Sequence, residues 1–160
     1  RGLGDVYKRQ APHTAPIVIQ SIDGISLQAA TCCHPVPGDR IIGQMRGGHG
    51  LSIHRMDCET ARKQISRDAE RWIDVEWDEE VSGMFRTLIE ITADDERGIL
   101  GRIASGITAS NADILQVAMD TESEQVAIIR FTLQVQDRDH LAEVFRRLRK
   151  LPQTRTITQA

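Results

Sequence analysis

The sequence predicts an α+β chain of two small modules, and three observations carry that prediction. Beyond Phe85 the apolar period runs two, then 3.6, then two again, in the order βαββαβ of a ferredoxin-like split βαβ unit. Residues 17–80 instead hold short alternating runs broken by Gly and Pro turns, with one helical pattern among them. The charged stretch Asp78–Gly83 separates the two rhythms and reads as a linker. Boundaries follow at 17–80 for a strand-rich module and 84–160 for the βαββαβ module. Residues 1–16 include RGLGDVYKRQ, which joins no period and starts at Arg1; the expectation is a non-native leader on part of a longer protein.

In the first module, Asp23-Gly24 lies between apolar flanks and predicts a hairpin turn. Pro37-Gly38-Asp39 marks a second turn, and Gly47 to Gly50 a third, leading into Leu51 and Ile53. Asp57 is placed to cap a helix through CETARKQISRD, and WIDVEW alternates as a strand. In the second module FRTLIEITA, ILQVAMDT, VAIIRFTLQVQ and TRTITQ read as strands. One helix carries Ile99, Leu100, Ile103 and Ile107 as its stripe; the other, started by Asp137 or Asp139, carries Leu141, Val144, Phe145 and Leu148. Arg146, Arg147, Arg149 and Lys150 crowd its last turns, where cations suit the helix dipole.

With 160 residues, each module has a thin core of the kind that needs a partner or a staple. Twenty Lys+Arg against 23 Asp+Glu, a formal charge of -3, give no bulk attraction for nucleic acid. The apolar runs are too short to span a membrane. Three cysteines, two of them adjacent, argue against a secreted disulfide framework and for the reducing cytoplasm.

All three cysteines lie in CCHPVPGDRIIGQMRGGHGLSIHRMDC, residues 32–58. Cys32, Cys33, His54 and Cys58 have the types and number of a zinc site. Neighbours in an extended strand point to opposite faces, so the adjacent pair needs a distorted backbone to share a metal. The alternatives are plain packing of a buried thiol, or a nucleophile at Cys58, where a helix N-terminus favours thiolate and His54 is near. A third reading is a local basic surface, with Arg40, Arg46, His49 and Arg55 as RNA-contact candidates beside Arg62 and Lys63. Cys32 to Arg71 holds seven Lys+Arg against five Asp+Glu. Zinc, on the first of these readings, is the one candidate cofactor.

The adjacent Cys pair, the Pro35-Val36-Pro37-Gly38-Asp39 turn, the Gly-rich turn and the Ile53-His54…Cys58 ending together resemble the zinc-finger-like, ribosome-intersubunit module of long Rel/SpoT-type stringent-response enzymes. The βαββαβ unit resembles the ACT domain that closes them. The resemblance implies a parent that is a (p)ppGpp synthetase (GTP pyrophosphokinase), a pyrophosphohydrolase, or both. Its catalytic domains lie N-terminal to these modules, so no catalytic residue is expected here. It implies a regulatory role: docking on ribosomal RNA and ribosomal proteins and controlling the catalytic half. ACT resemblance also implies an amino-acid loop, with Asp95, Gly98, Ile99 and Asn111 as candidates for a branched-chain ligand, though Glu96 replaces the usual Arg. Pairing of ACT units into a homodimer is a further implication. The alternative reading is an amino-acid-sensing ACT module with a structural zinc site.

Overall fold

The computed structural model describes residues 16–23, 26–48, 50–121 and 123–160. Two sheets carry the chain. The first contains β1 (Ile17–Ile19), β2 (Leu27–Ala29), β3 (Ile41–Met45), β4 (Leu51–Arg55) and β5 (Trp72–Trp77), in the order β1-β5-β3-β4-β2. Helix α1 (Glu59–Arg67) lies between β4 and β5 in sequence. The second sheet orders β7 (Asp113–Thr121), β8 (Val126–Val135), β6 (Phe85–Asp94) and β9 (Thr154–Gln159) as β7-β8-β6-β9, with every pairing antiparallel. Helices α2 (Ile99–Ala109) and α3 (Arg138–Arg149) complete the βαββαβ unit. The α+β prediction and its ferredoxin-like half agree with this architecture.

The second core forms as the alternation demands. Ile129, Phe131, Leu133 and Val135 of β8 are buried beside Ile89 and Ile91 of β6. Ile99, Ile103 and Ile107 from α2, with Leu141, Val144 and Leu148 from α3, close over them. Leu100, expected on the same stripe, is exposed: the i, i+4, i+8 series already fills the contact, and Leu100 is turned about 100° away from Ile99. Asp137 caps α3, its carboxylate accepting from the His140 N–H at 2.8 Å.

Two local expectations for the first module fail. Gly24 lies outside the described residues, but the strands flanking the expected hairpin do not pair. β1 runs parallel to β5 and β2 parallel to β4, at opposite edges of the sheet. Two three-residue strands make a poor independent hairpin, and each gains more by extending a strand already paired to β3. Nor does Asp57 cap α1. Cys58 occupies the N-cap, and Asp57 pairs instead with Arg55 at 3.2 Å.

The segment expected to be a linker is short and tied down. Val81 packs against the second core, and Trp77 meets Phe85 edge-on at 5.6 Å across the boundary. Ile22 and Trp77 touch both cores. The deeper tie is the Pro35–Asp39 turn. Val36 is fully buried in the second core, a burial contributing about 1.5–3 kcal/mol. The Arg138 N–H donates to the Pro37 carbonyl at 2.7 Å, and Trp77 Nε1 donates to the Asp39 carbonyl at 3.1 Å. Asp39 Oδ2 accepts the Val36 N–H at 2.9 Å, while Arg138 Nη1 lies 3.8 Å from Oδ1. Burial pushes the Asp39 carboxyl above its usual value, against the pull of that N–H and of the nearby arginines.

Gly38 takes a left-handed φ of +101°, and a Cβ there would sit 2.8 Å from Cβ of Arg138. Gly38→Ala is therefore expected to cost about 2–4 kcal/mol, from left-handed strain plus forced separation of the modules. Urea denaturation checks this; a loss below about 1 kcal/mol would contradict it. Both tryptophans belong to the first sheet, so their fluorescence reports that module, whereas far-ultraviolet dichroism reports both. The shared core predicts coincident unfolding curves, and two separated transitions would show that the modules melt independently.

Candidate metal centre

The thiols and His54 converge because the Cys pair is not in a strand. Thr31 to Cys33 form a turn, with the Cys33 and His34 N–H groups donating to the Ala30 carbonyl at 3.4 and 2.9 Å. His34 follows at a left-handed φ of 44°. The turn removes the strand alternation that would set neighbouring side chains on opposite faces. His54 arrives from β4, on the face opposite the apolar Leu51 and Ile53. Cys58 arrives from the N-cap of α1. One-residue displacement of that cap from Asp57 to Cys58 is part of what aims the sulfur inward.

The four donor atoms lie within 4.8 Å of one another. Cys32 Sγ is 4.0 Å from Cys33 Sγ, 3.5 Å from Cys58 Sγ and 3.4 Å from His54 Nδ1; Cys33 Sγ is 3.9 Å from that nitrogen. With Zn–S near 2.3 Å and Zn–N near 2.0–2.1 Å, a tetrahedron has edges of about 3.8 Å between sulfurs and about 3.6 Å from sulfur to nitrogen. The measured edges bracket those values. Cys33, His54 and Cys58 are buried, Cys32 is exposed, and Ala30, Ala61 and Trp72 pack around them. The His54 and Trp72 ring centroids are 5.1 Å apart.

Electrostatics treats the four donors differently. Burial depresses the His54 pKa, which keeps the imidazole neutral and able to donate a lone pair. Burial raises the Cys33 thiol far above its ordinary value, opposed by the Arg55 N–H that reaches its sulfur at 3.3 Å. Burial, then the Cys58 sulfur, raises Cys32. Burial also acts upward on Cys58, but the Ala61 N–H in the first turn of α1, with Cys32, Cys33 and the Thr60 N–H, outweighs it and lowers the thiol. Three sulfurs and one imidazole with near-tetrahedral edges fit zinc, which would cross-link β4, α1 and the Cys turn without an open coordination position.

The RNA-contact candidates divide. Arg40 and Arg55 line a cleft of about 280 Å³ at the module boundary, together with Arg62 and Arg138. Arg46 sits past the other end of β3 and donates to Gln28 Oε1 at 2.9 Å. His49 lies outside the described residues. The amino-acid candidates divide too. Gly98 has φ +82° and starts α2 beside exposed Asp95, whereas Asn111, at φ +64°, follows its end, about 16 Å away along an 11-residue helix. Asn111 lines a cleft with Ser110, His140 and Arg146 that includes neither Asp95 nor Gly98. Ile99 is 2% exposed, and its side chain belongs to the core. Arg138 and Gln159, which meet Asp39 of the expected turn at the boundary, escaped the sequence reading; no local period links the positions.

A four-donor thiol–imidazole cluster on a small sheet, packed onto a βαββαβ unit, defines a two-module chain. Comparison with known proteins agrees. Residues 17–78 match the RelA/SpoT RIS domain and residues 82–158 an ACT domain. The chain is 35% identical to a GTP pyrophosphokinase of Streptomyces coelicolor over 93% of its own length and 17% of that relative's. It is 32% identical to the bifunctional (p)ppGpp synthase/hydrolase RelA of Mycobacterium tuberculosis, over 92% and 21%. Against the GTP pyrophosphokinase of Escherichia coli K12 the figures are 30%, 85% and 18%. The chain thus spans about a fifth of the length of the curated relatives it matches, in their C-terminal region. It belongs to the RelA/SpoT family.

If the cluster holds zinc as its geometry suits, elemental analysis of the purified chain should find about one zinc per molecule. His54→Ala should reduce that to under about a tenth, and chelation should lower the unfolding midpoint of the unaltered chain. A metal-free chain that folds with the same midpoint would exclude the site.

Proposed function

We propose that this chain is the ribosome-docking, regulatory end of a (p)ppGpp synthetase/hydrolase, acting in the cytoplasm on catalytic domains that precede it in the relatives. The observation that carries the reading is the pairing of RIS and ACT modules, in the relatives' order, as one packed body. The chain itself makes and breaks no bond. Its thiol cluster supports that view: Cys58 and His54 lie inside a four-donor arrangement rather than as a pair opening onto a cleft. The cluster's task is to hold β4, α1 and the Cys turn rigid, so that the docking face has one shape. Among the described residues, no helix is long and apolar enough to cross a membrane.

The amino-acid-sensing reading is favoured by one observation, the bare edge of the ACT sheet. β7 is nine residues long, pairs among the described residues on one side only, and exposes Leu115, Val117 and Met119. A second copy pairing there would extend both sheets. A branched-chain amino acid would then be held between copies, since Gly98 and Asn111 do not meet within one.

Co-sedimentation tests the docking reading. The purified chain should pellet with ribosomes at low salt. Its affinity should fall on the order of a hundredfold or more as salt rises from about 50 to about 200 mM. Absence of any binding at low ionic strength, or turnover of GTP with ATP by the chain alone, would overturn it.

A further inference from the structure

We propose that Cys32 and Cys58 join in a reversible disulfide when a hydroperoxide reaches the cluster, which makes the four-donor site an oxidation site as well. The inference goes beyond the docking reading and does not rest on it.

Access to the four donors is uneven. Cys33 is 1% exposed and Cys58 and His54 are 5% exposed, whereas Cys32 is open to solvent. A small oxidant therefore meets the Cys32 sulfur first. Cys58 Sγ lies 3.5 Å from it and Cys33 Sγ 4.0 Å. A disulfide spans about 2.05 Å, so the Cys32 and Cys58 sulfurs need to close by about 1.5 Å, a distance that small side-chain rotations cover. An accessible thiol with a second thiol beside it is the usual layout of a redox-sensing pair.

Backbone geometry favours Cys58 over the adjacent cysteine. Neighbouring Cα atoms are about 3.80 Å apart across a trans peptide, short of the roughly 4.4–6.8 Å that disulfides adopt. The Cys33 sulfur is also held in place. It accepts the Arg55 N–H at 3.3 Å and packs with Ala30 and Ala61.

The chemistry balances with a hydroperoxide as its one co-reactant. The Cys32 sulfur attacks a peroxide oxygen, the O–O bond breaks, and the departing oxygen leaves as water with the thiol proton. A sulfenic acid remains on Cys32. The Cys58 sulfur then attacks Cys32 Sγ; the S–S bond forms, the S–O bond breaks, and the Cys58 proton leaves with that oxygen as a second water. Two thiols are oxidised by two electrons, and the peroxide is reduced by two. A dithiol reverses the step by exchange and itself ends as a disulfide. Exposed disulfides have the higher reduction potentials, so this one stays labile to thiols.

The bond takes two of the four donors. Cys33 and His54 remain, too few for a closed tetrahedral site. Oxidation thus keeps the Cys turn tied to the start of α1 and releases β4, the strand that carries His54. Cys33 stands two residues before Pro35, where the turn joining the modules begins.

Hydrogen peroxide in slight excess over the full chain is the probe, followed by alkylation of the remaining thiols and peptide mass spectrometry. The expected product links the tryptic peptide ending at Arg40 to the one from Met56 to Arg62, with the alkyl group on Cys33 alone. Dithiothreitol should restore all three thiols. In zinc-loaded chain, a chromogenic chelator should read about one zinc released per disulfide formed. Cys32→Ser should slow thiol loss about tenfold or more and give no disulfide, since the two cysteines left are buried. If that variant does not fold, the bond mapped in the unaltered chain decides. A Cys32–Cys33 or Cys33–Cys58 bond, a disulfide between two copies, or sulfinic and sulfonic acids alone would each defeat the proposal. A zinc-free chain that still forms the Cys32–Cys58 bond supports it and removes only the metal. Ribosome co-sedimentation of the reduced chain bears on docking alone, so the two readings fail separately.

Discussion

The turn from Pro35 to Asp39 is the constraint on which the arrangement of this protein depends. It leaves the first module, inserts Val36 into the second module's core, and gives the Pro37 carbonyl to the first helical N–H of α3. Asp39 then folds its carboxylate back onto the Val36 N–H and lies beneath Arg138. Gly38 makes this approach possible, because only a residue without Cβ can take that backbone shape so near another main chain. Without the turn, two thin cores would face water along the surface they now share.

A second constraint works within the first module. The Cys turn, β4 and the start of α1 have little apolar contact of their own: Ala30, Cys33, Cys58 and Ala61 form a small cluster under Trp72. Thiol and imidazole groups replace hydrophobic bulk there. Such a cluster is weak as a core and strong as a metal cross-link, because a chelated cation fixes three chain segments at once. The same burial that depresses His54 and raises Cys33 also keeps them from reacting with solvent species.

Together these constraints make a rigid platform from pieces too small to be rigid alone. A docking surface built on both modules can have a defined shape only if the modules do not swivel. The buried Val36, the Trp77–Phe85 contact and the latch around Asp39 supply that rigidity. Regulation of distant catalytic domains by ribosome contact, as proposed for this chain, calls for such stiffness: a hinge at the boundary would absorb the signal as motion.

Sequence by itself determined the βαββαβ module, because alternation in β8 and the 3.6-residue stripe of α3 are local patterns that burial reproduces residue by residue. It also brought Cys32, Cys33, His54 and Cys58 together as a candidate set from residue type and number. Tertiary structure decided whatever depended on partners distant in the chain. β1 and β2 pair with β5 and β4 rather than with each other, since three-residue strands follow the edges available to them. The adjacent cysteines share a site because a turn, stabilised by the Ala30 carbonyl and by β4 behind it, replaces the strand that neighbours would otherwise form. Arg40 and Arg55 part from Arg46 because the antiparallel pairing of β3 with β4 sets the first two at one end and Arg46 at the other, and they join Arg138 across the boundary. Periodicity records which face a residue takes; the company it keeps there is set by packing between segments, and no local pattern encodes that.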